Sequence, residues 1–257
     1  MFSTQSTSTL LNKVPAVKAL FWAVKIMTTT VGETAADYLN FNLGFGLLMT
    51  SVAIGLLLSA SLFLQLRQTQ YIPSVYWTTV TLISVFGTLV TDNLTDQFGI
   101  PLPLSSLLFA LLLSCTFVLW FVKEKTLSIH AIDTPRRELF YWLAIFMTFA
   151  LGTAVGDCVA EQLQWGYAHA GMIFGGAIAL ITLAHYLFKL NAIICFWLAY
   201  ILTRPLGASL GDLLTQPLNN GGLGLSSSMI NLLFMTTIML IVAYFSLKQA
   251  PLKVKTS

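Results

Sequence analysis

One pattern of three residues occurs four times in this chain and constrains its fold more than any other feature. A tryptophan is followed ten positions later by a glycine and, five positions after that, by an aspartate. Successive copies begin 55, 65 and 55 positions apart, a regularity that chance does not produce in 257 residues. Repetition of this kind marks a repeated supersecondary unit, so we expect four related units. The copies are Trp22, Gly32 and Asp37; Trp77, Gly87 and Asp92; Trp142, Gly152 and Asp157; and Trp197, Gly207 and Asp212.

Every copy of the pattern lies in an apolar segment. Hydrophobic residues make up 56% of the chain and charged residues only 9%, whereas a soluble domain carries about 25% charged residues. A membrane span takes roughly 20 residues. We therefore predict an all-α, polytopic membrane protein with eight transmembrane helices in a single domain over residues 1–257. The predicted segments are approximately 15–38, 43–66, 72–95, 102–123, 137–161, 168–189, 191–214 and 223–247.

The pattern-bearing segments alternate with plainer apolar segments. We predict that each repeat is a helical hairpin with the pattern on its first helix. All four pattern-bearing helices then point the same way, so the repeats are parallel and related by a pseudo-symmetry axis along the membrane normal. A charged linker at 124–136 separates the two halves of the chain. The predicted repeats cover approximately 14–67, 68–123, 137–189 and 190–247.

The basic residues predict the orientation in the membrane. Twelve of the thirteen Lys and Arg residues flank the segments at one end, and the connections at the other end contain none. The positive-inside rule places the basic end, including both termini, in the cytoplasm of an inner (plasma) membrane protein. The polar N-terminus lacks the apolar core of a signal peptide, so we expect the first segment to direct insertion.

The repeat aspartates carry the strongest chemical signal, because charges inside a bilayer are costly and mark functional positions. One helical turn before Asp37 lies Glu33, whose counterparts in the next two repeats are Thr88 and Thr153. Carboxylate and hydroxyl oxygens suit hard divalent cations such as Mn²⁺, Mg²⁺ or Ca²⁺. We predict a metal site formed by Glu33 and the four repeat aspartates. The further predicted ion-binding residues are Thr88, Thr153, Asp96 and Glu161.

Arg204 and Pro205 distinguish the fourth repeat from the others. The proline is expected to kink its helix, because it removes a backbone donor. We predict that Arg204 forms an ion pair with Glu33 or a repeat aspartate on another pattern-bearing helix, which would hold the site together and contribute to gating. Bidentate recognition of an anionic substrate is the alternative.

The tryptophans and glycines of the pattern are predicted to serve packing. Each tryptophan lies near the basic end of its helix, where it either joins an interfacial aromatic belt or packs inward against the neighbouring repeats. Each glycine is expected to permit close approach of two membrane helices.

The motifs TTTVGETAADYL, FGTLVTDNL, LGTAVGDCVAEQL and LTRPLGASLGDLL resemble those of a bacterial membrane-protein family catalogued as a repeat of unknown function and often labelled membrane-anchored. The resemblance covers about residues 14–247. It implies an integral inner-membrane protein and supplies no substrate.

These features favour a secondary transporter of a divalent cation, with coupling to protons as a further expectation. The alternatives are a cation channel, a small-anion transporter that uses Arg204, and a structural membrane protein whose aspartates stabilise tight turns. Nucleotide loops and catalytic motifs are absent from the sequence, so an enzyme is not expected. The predicted partners are the transported ion or solute and the lipid bilayer, without nucleic acid. A homo-oligomer is compatible with the sequence, and no cofactor is expected beyond a bound divalent cation.

Overall fold

The computed structural model describes residues 12–249, which fold into eight α-helices without a β-strand in that range. Each helix begins and ends within four residues of a segment predicted from the sequence, because long apolar runs mark membrane helices reliably. The helices are α1 (Ala19–Asp37), α2 (Leu47–Arg67), α3 (Pro73–Asp92), α4 (Leu102–Glu124), α5 (Pro135–Asp157), α6 (Tyr167–Phe188), α7 (Ala192–Thr215) and α8 (Ser227–Gln249).

Seven helices, α2 to α8, are long and apolar enough to cross a membrane. The helix α1 is not among them, because Lys25, Glu33 and Asp37 interrupt its apolar sequence. The described part of the chain is therefore that of an all-α membrane protein, with eight helices and seven candidate spans. Lys253 and Lys255, which contribute to the predicted orientation, lie outside the described residues.

The four pattern-bearing helices α1, α3, α5 and α7 form a closed ring in which each packs against its two neighbours. At every contact, the repeat glycine of one helix receives the side chain that follows the tryptophan of the next helix by seven positions. A β-carbon on any of these glycines would overlap that side chain, which explains why the pattern requires glycine. The four contacts are Gly32 with Ser84, Gly87 with Phe149, Gly152 with Arg204, and Gly207 with Thr29.

These repeated contacts also show how the ring is built. Because equivalent residues meet at the same level, the four ring helices run parallel and in register. The repeat tryptophans therefore lie at one end of the ring, called here the basic end, and the repeat aspartates lie at the opposite, acidic end.

The outer helices α2, α4, α6 and α8 do not pack mainly against the ring helix of their own repeat. Instead, α2 packs on α3, α4 on α5, α6 on α7, and α8 on α1. The predicted hairpins are correct in connectivity and wrong in packing. Each outer helix therefore covers the ring helix of the neighbouring repeat.

Three ring helices change geometry directly after the repeat aspartate. Turns of π-helix follow α1, α3 and α5 at Tyr38–Asn42, Asn93–Gln97 and Cys158–Gln162. In the fourth repeat, α7 continues as α-helix past Asp212 to Thr215. Single π turns of this kind recur at functional sites. At the acidic end, three of the four repeats thus combine the repeat aspartate with a π turn.

Aromatic side chains fill the basic end of the ring. Trp77, Trp142 and Trp197 are buried in the main core cluster, whereas Trp22 is half-buried. Of the two predicted roles, inward packing therefore describes three tryptophans better than an interfacial belt. The Nε1 atom of Trp197 also donates to the carbonyl oxygen of Leu127 at 2.9 Å, which attaches the linker to the ring.

The segment before α1 lies across this basic end. The amide of Lys13 donates to the carbonyl oxygen of Ile132 at 3.2 Å, and its Nζ lies 2.6 Å from Oε2 of Glu138 on α5. The second oxygen of Glu138 accepts a hydrogen bond from Nε2 of Gln65 on α2 at 3.1 Å. This buried ion pair joins the N-terminal segment to two helices. It closes the basic end further, together with the buried side chain of Val14.

Candidate functional site

Three carboxylates converge near the acidic end of the ring. Glu33 on α1, Asp157 on α5 and Asp212 on α7 each offer one oxygen, and these oxygens lie within 4.8 Å of one another. Glu33 and Asp212 are buried, and Asp157 is half-buried. The parallel ring accounts for this convergence, because it brings the ends of three helices to the same level. We call this group the carboxylate cluster.

The other two repeat aspartates lie beside the carboxylate cluster and do not belong to it. Asp37 and Asp92 are half-buried at the ends of α1 and α3 and lie within electrostatic range of Glu33. Of the five carboxylates predicted to form the site, three therefore meet in the cluster. On α1 the contribution comes from Glu33, one turn deeper than Asp37, because Glu33 is the residue that faces Asp157 and Asp212.

A fully buried arginine lies directly behind the cluster. Nη2 of Arg204 donates to Oε2 of Glu33 at 2.7 Å, which is the ion pair expected from the sequence. The same nitrogen donates to Oγ1 of Thr153 at 2.8 Å and to Oγ1 of Thr88. Nη1 donates to the carbonyl oxygen of Thr29 at 3.1 Å. One guanidinium on α7 thus bonds to all three other ring helices, which suits its planar array of donors.

This arrangement changes the predicted role of the threonines. The hydroxyls of Thr88 and Thr153 accept hydrogen bonds from Arg204, whereas the sequence predicts that they bind an ion. A buried guanidinium requires acceptors on several sides to offset its desolvation. The hydroxyls of Thr88 and Thr153 supply two of these acceptors. They occupy the positions on α3 and α5 that correspond to Glu33 on α1.

The helix that carries Arg204 continues through Pro205 without a break. The proline ring packs over the glycines of α5, 2.9 Å from the position of a β-carbon on Gly152 and 3.5 Å from one on Gly156. Pro205 thereby helps to seat Arg204 against α5.

The side chains of the four repeat aspartates form no hydrogen bond with any other residue between 12 and 249. Asp37, Asp92 and Asp157 immediately precede the π turns, but their side chains do not cap those turns. Within residues 12–249, the ion pair between Arg204 and Glu33 is the one salt bridge that reaches the carboxylate cluster. The alternative in which the aspartates stabilise tight turns thus finds no supporting hydrogen bond in the described chain.

Asp96 and Glu161 lie further out, in the π turns at the mouth of the ring. Both are exposed. Asp96 accepts a hydrogen bond from its neighbour Thr95 at 3.0 Å, and Glu161 accepts one from Tyr167 at 3.0 Å. The structure does not bring these two predicted ligands into the carboxylate cluster; they add negative charge around its entrance.

Lys25 lies in the ring interior, although it is one of the twelve basic residues that the positive-inside rule assigns to the basic end. Its side chain is buried, with Nζ 3.8 Å from the centre of the Phe149 ring and 4.3 Å from that of Tyr200. Nζ has no hydrogen-bond partner among the described residues. The sequence signal for this buried position was the spacing of Lys25. It precedes Thr29, Glu33 and Asp37 at steps of four residues, which places it on the same helical face.

The repeats also define the family. Repeat of Unknown Function (DUF347) matches residues 20–71, 75–126, 140–191 and 195–250, and each match pairs a ring helix with the outer helix that follows it. No curated protein and no solved structure matches the chain. Because the four matches cover most of the sequence and coincide with the four structural repeats, the chain belongs to the DUF347 repeat family.

Proposed function

We propose that this protein is a secondary transporter of a divalent cation, which binds between Glu33, Asp157 and Asp212. The observation that carries the proposal is the convergence of three carboxylate oxygens from three different helices within 4.8 Å. Like charges do not gather in a buried setting without a compensating group. The Arg204 guanidinium compensates one of them, and a bound cation would compensate the others.

The spacing of the oxygens is compatible with one ion. Oxygen ligands lie about 2.0–2.1 Å from Mg²⁺ and about 2.3–2.6 Å from Ca²⁺, so oxygens on opposite sides of an ion are separated by roughly 4–5 Å. The separations within the cluster reach no more than 4.8 Å. A divalent ion therefore fits with small side-chain movements.

Closure of the ring interior favours a transporter over a channel. Behind the carboxylates lie Arg204 and then Lys25 between Phe149 and Tyr200. A cation that moved along the ring axis would meet the Arg204 guanidinium, the Lys25 side chain and an aromatic core. Passage to the basic end therefore requires a change of conformation, as in alternating access.

Arg204 has a defined role in this mechanism. When the site is empty, its ion pair with Glu33 holds α1 and α7 together at the cluster. An arriving cation competes with the guanidinium for Glu33, so binding weakens a contact between two ring helices. This competition links ion binding to helix movement, and exchange against protons is the expected source of energy.

The orientation belongs to the same proposal. With the basic end in the cytoplasm of the inner membrane, all eight helices span the bilayer and both termini are cytoplasmic. The carboxylate cluster then lies in the outer half of the membrane, with Asp96 and Glu161 at its external mouth. Cysteines introduced at position 96, at the acidic end, and at position 123, at the basic end, test this orientation when each is labelled from either side of the membrane.

Mn²⁺ flux into proteoliposomes tests the transport function. Asp157→Asn and Asp212→Asn are each expected to reduce initial flux at least about tenfold, because each removes a charged ligand. Asp92→Asn is the matched control, since it makes the same substitution at an equivalent repeat position outside the carboxylate cluster. Wild-type flux in both cluster variants would refute the proposal.

Two further measurements separate the alternatives. Mn²⁺ binding to the purified full chain, measured by electron paramagnetic resonance, is expected to weaken in the same two variants. Slow, saturable flux that responds to a pH gradient would support a transporter, whereas unitary currents in planar bilayers would establish a channel.

A further inference from the structure

One side of the ring is packed differently from the others. The outer helices α8, α2 and α4 each reach two ring helices. For example, Gln65 of α2 contacts Glu138 of α5, and Trp120 of α4 packs on Trp197 of α7. In contrast, α6 packs along α7 and leaves a cavity of about 520 Å³ between itself and α1. We call this cavity the α1–α6 groove.

The groove is amphipathic along its length. Its walls are formed by apolar residues of α1, α6 and α7, among them Ile26, Ile181 and Phe196. The lysine and the two histidines that line it gather at the basic end together with Ser128; they are Lys18, His130 and His185. This division matches the two parts of a lipid molecule, an apolar chain and a polar headgroup.

The polar end of the groove favours a negative charge. Lys18 lies there, and neither Asp nor Glu lines the groove within the described residues. The helices α1 and α7 both begin at this end, at Ala19 and Ala192. The first turn of α1 has neither a capping side chain nor an acidic residue, so its free amides add positive potential. An anionic headgroup complements this combination.

We propose that the α1–α6 groove binds one anionic phospholipid of the surrounding bilayer. Its acyl chain lies between α1, α6 and α7, and its phosphate lies beside Lys18. The volume of about 520 Å³ lies within the range of small-molecule sites, which runs from about 300 to 1,000 Å³. The groove lies between helices that face lipid, so a bilayer lipid enters it sideways without crossing the ring.

The deepest part of the groove touches the contact between α1 and α7. Ala199 and Thr203 line it, and the carbonyl oxygen of Thr203 accepts a hydrogen bond from Thr29 at 3.2 Å. The next residue is Arg204. A bound lipid would therefore rest against the helix contact that positions the arginine, although the lipid site does not depend on the proposed transport function.

Native mass spectrometry of the full chain, purified in mild detergent and mixed with phosphatidylglycerol or phosphatidylcholine, tests the proposal. One phosphatidylglycerol is expected to remain bound about fivefold more strongly than phosphatidylcholine, the preference that one lysine near an anionic headgroup confers. Ile181→Trp should fill the groove and abolish retention. Leu180→Trp is the matched control, because that neighbouring side chain is exposed on the lipid-facing side of α6.

A second pair of variants keeps the test decisive if the filled groove disturbs folding. Lys18→Glu reverses the charge at the polar end and should remove the preference for phosphatidylglycerol, whereas Lys123→Glu, an exposed lysine at the end of α4, should leave it intact. Equal retention of both lipids by the wild-type chain would overturn the proposal. So would a dimer that Ile181→Trp dissociates, because the occupant would then be a second copy of the chain.

Discussion

The side chain of Arg204 on α7 packs directly against Gly152 of α5. The contact is so close that a β-carbon at position 152 would overlap Cβ and Cγ of the arginine. The glycine therefore sets the depth at which the guanidinium lies in the ring. From that depth the guanidinium reaches Glu33, Thr88 and Thr153 on three helices. The repeat glycine and the unique arginine thus form one structural unit.

Gly152→Ala is expected to destabilise the protein and displace Arg204. Overpacking in a filled core typically costs about 1–3 kcal/mol, and thermal unfolding in detergent measures the loss. Gly156→Ala is the control on the same helix, because a β-carbon there would lie 3.5 Å from Pro205, an ordinary contact. If both variants unfold at the same temperature, the contact with Arg204 does not set the packing distance.

Breaking the ion pair between Arg204 and Glu33 is expected to cost more than removing both partners. Glu33→Gln leaves a buried guanidinium without its counter-charge, a change that typically costs about 3–5 kcal/mol. The double variant Glu33→Gln with Arg204→Met removes both charges and should be less destabilised than Glu33→Gln alone, and hence less than the sum of the single changes. Unfolding of the wild type, the two single variants and the double variant in a mixed-detergent series provides the four free energies of this double-mutant cycle. Strict additivity would show that the two side chains are not coupled.

Arg204→Lys separates charge from geometry at the same position. A lysine ammonium keeps the positive charge but lacks the planar pair of terminal nitrogens that serve four acceptors. We expect a loss of stability close to that of Arg204→Met, measured in the same unfolding series. A lysine variant as stable as the wild type would mean that the contacts with Thr88 and Thr153 contribute little.

The helices could be predicted from sequence because long apolar runs define where a membrane helix begins and ends. The packing partner of each outer helix could not. Apolar composition makes α2 a membrane helix, but nothing in its sequence states whether it covers α1 or α3. The π turns after Asp37, Asp92 and Asp157 also lack a local signal, since they differ from α-helix by one shifted hydrogen bond per residue.

Part of the candidate site was also predictable from the sequence, because the repeat fixes the spacing of its residues. Spacing placed Glu33 on the same helical face as Asp37, the repeat placed the other aspartates at equivalent positions, and the lone arginine within an apolar segment required an acidic partner. Spacing along one helix does not determine which groups meet across the ring, so the roles of Thr88 and Thr153 were not predictable. Lys25 was counted among the basic residues that flank the segments, because the orientation argument groups every Lys and Arg by the nearer end of its segment. The helix α1 begins at Ala19, and Lys25 lies almost two turns inside it.

The ion pair that closes the basic end should control local opening of the N-terminal segment. Glu138→Gln leaves the buried Lys13 ammonium without a counter-charge, so residues 12–17 are expected to exchange backbone hydrogens at least about tenfold faster, which corresponds to about 1.4 kcal/mol. Hydrogen-exchange mass spectrometry measures this rate. Asp133→Asn is the control, because Asp133 is exposed and ion pairs of exposed side chains contribute about 0–1 kcal/mol. Unchanged exchange in Glu138→Gln would show that the pair does not hold the segment.

Lys25→Met is expected to raise the unfolding temperature, in contrast to the other core substitutions. The ammonium is buried without a hydrogen-bond partner among the described residues, and the faces of Phe149 and Tyr200 offset only part of its desolvation. Methionine keeps a similar shape without the charge, and each 1 kcal/mol gained raises the midpoint by about 2–4 °C in a chain of this size. Lys123→Met, at an exposed position, should leave the midpoint unchanged. A lower midpoint for Lys25→Met would instead mean that the two aromatic faces stabilise the ammonium by more than its burial costs. If the more stable variant also loses Mn²⁺ flux, the unpaired charge is retained for transport at the expense of stability.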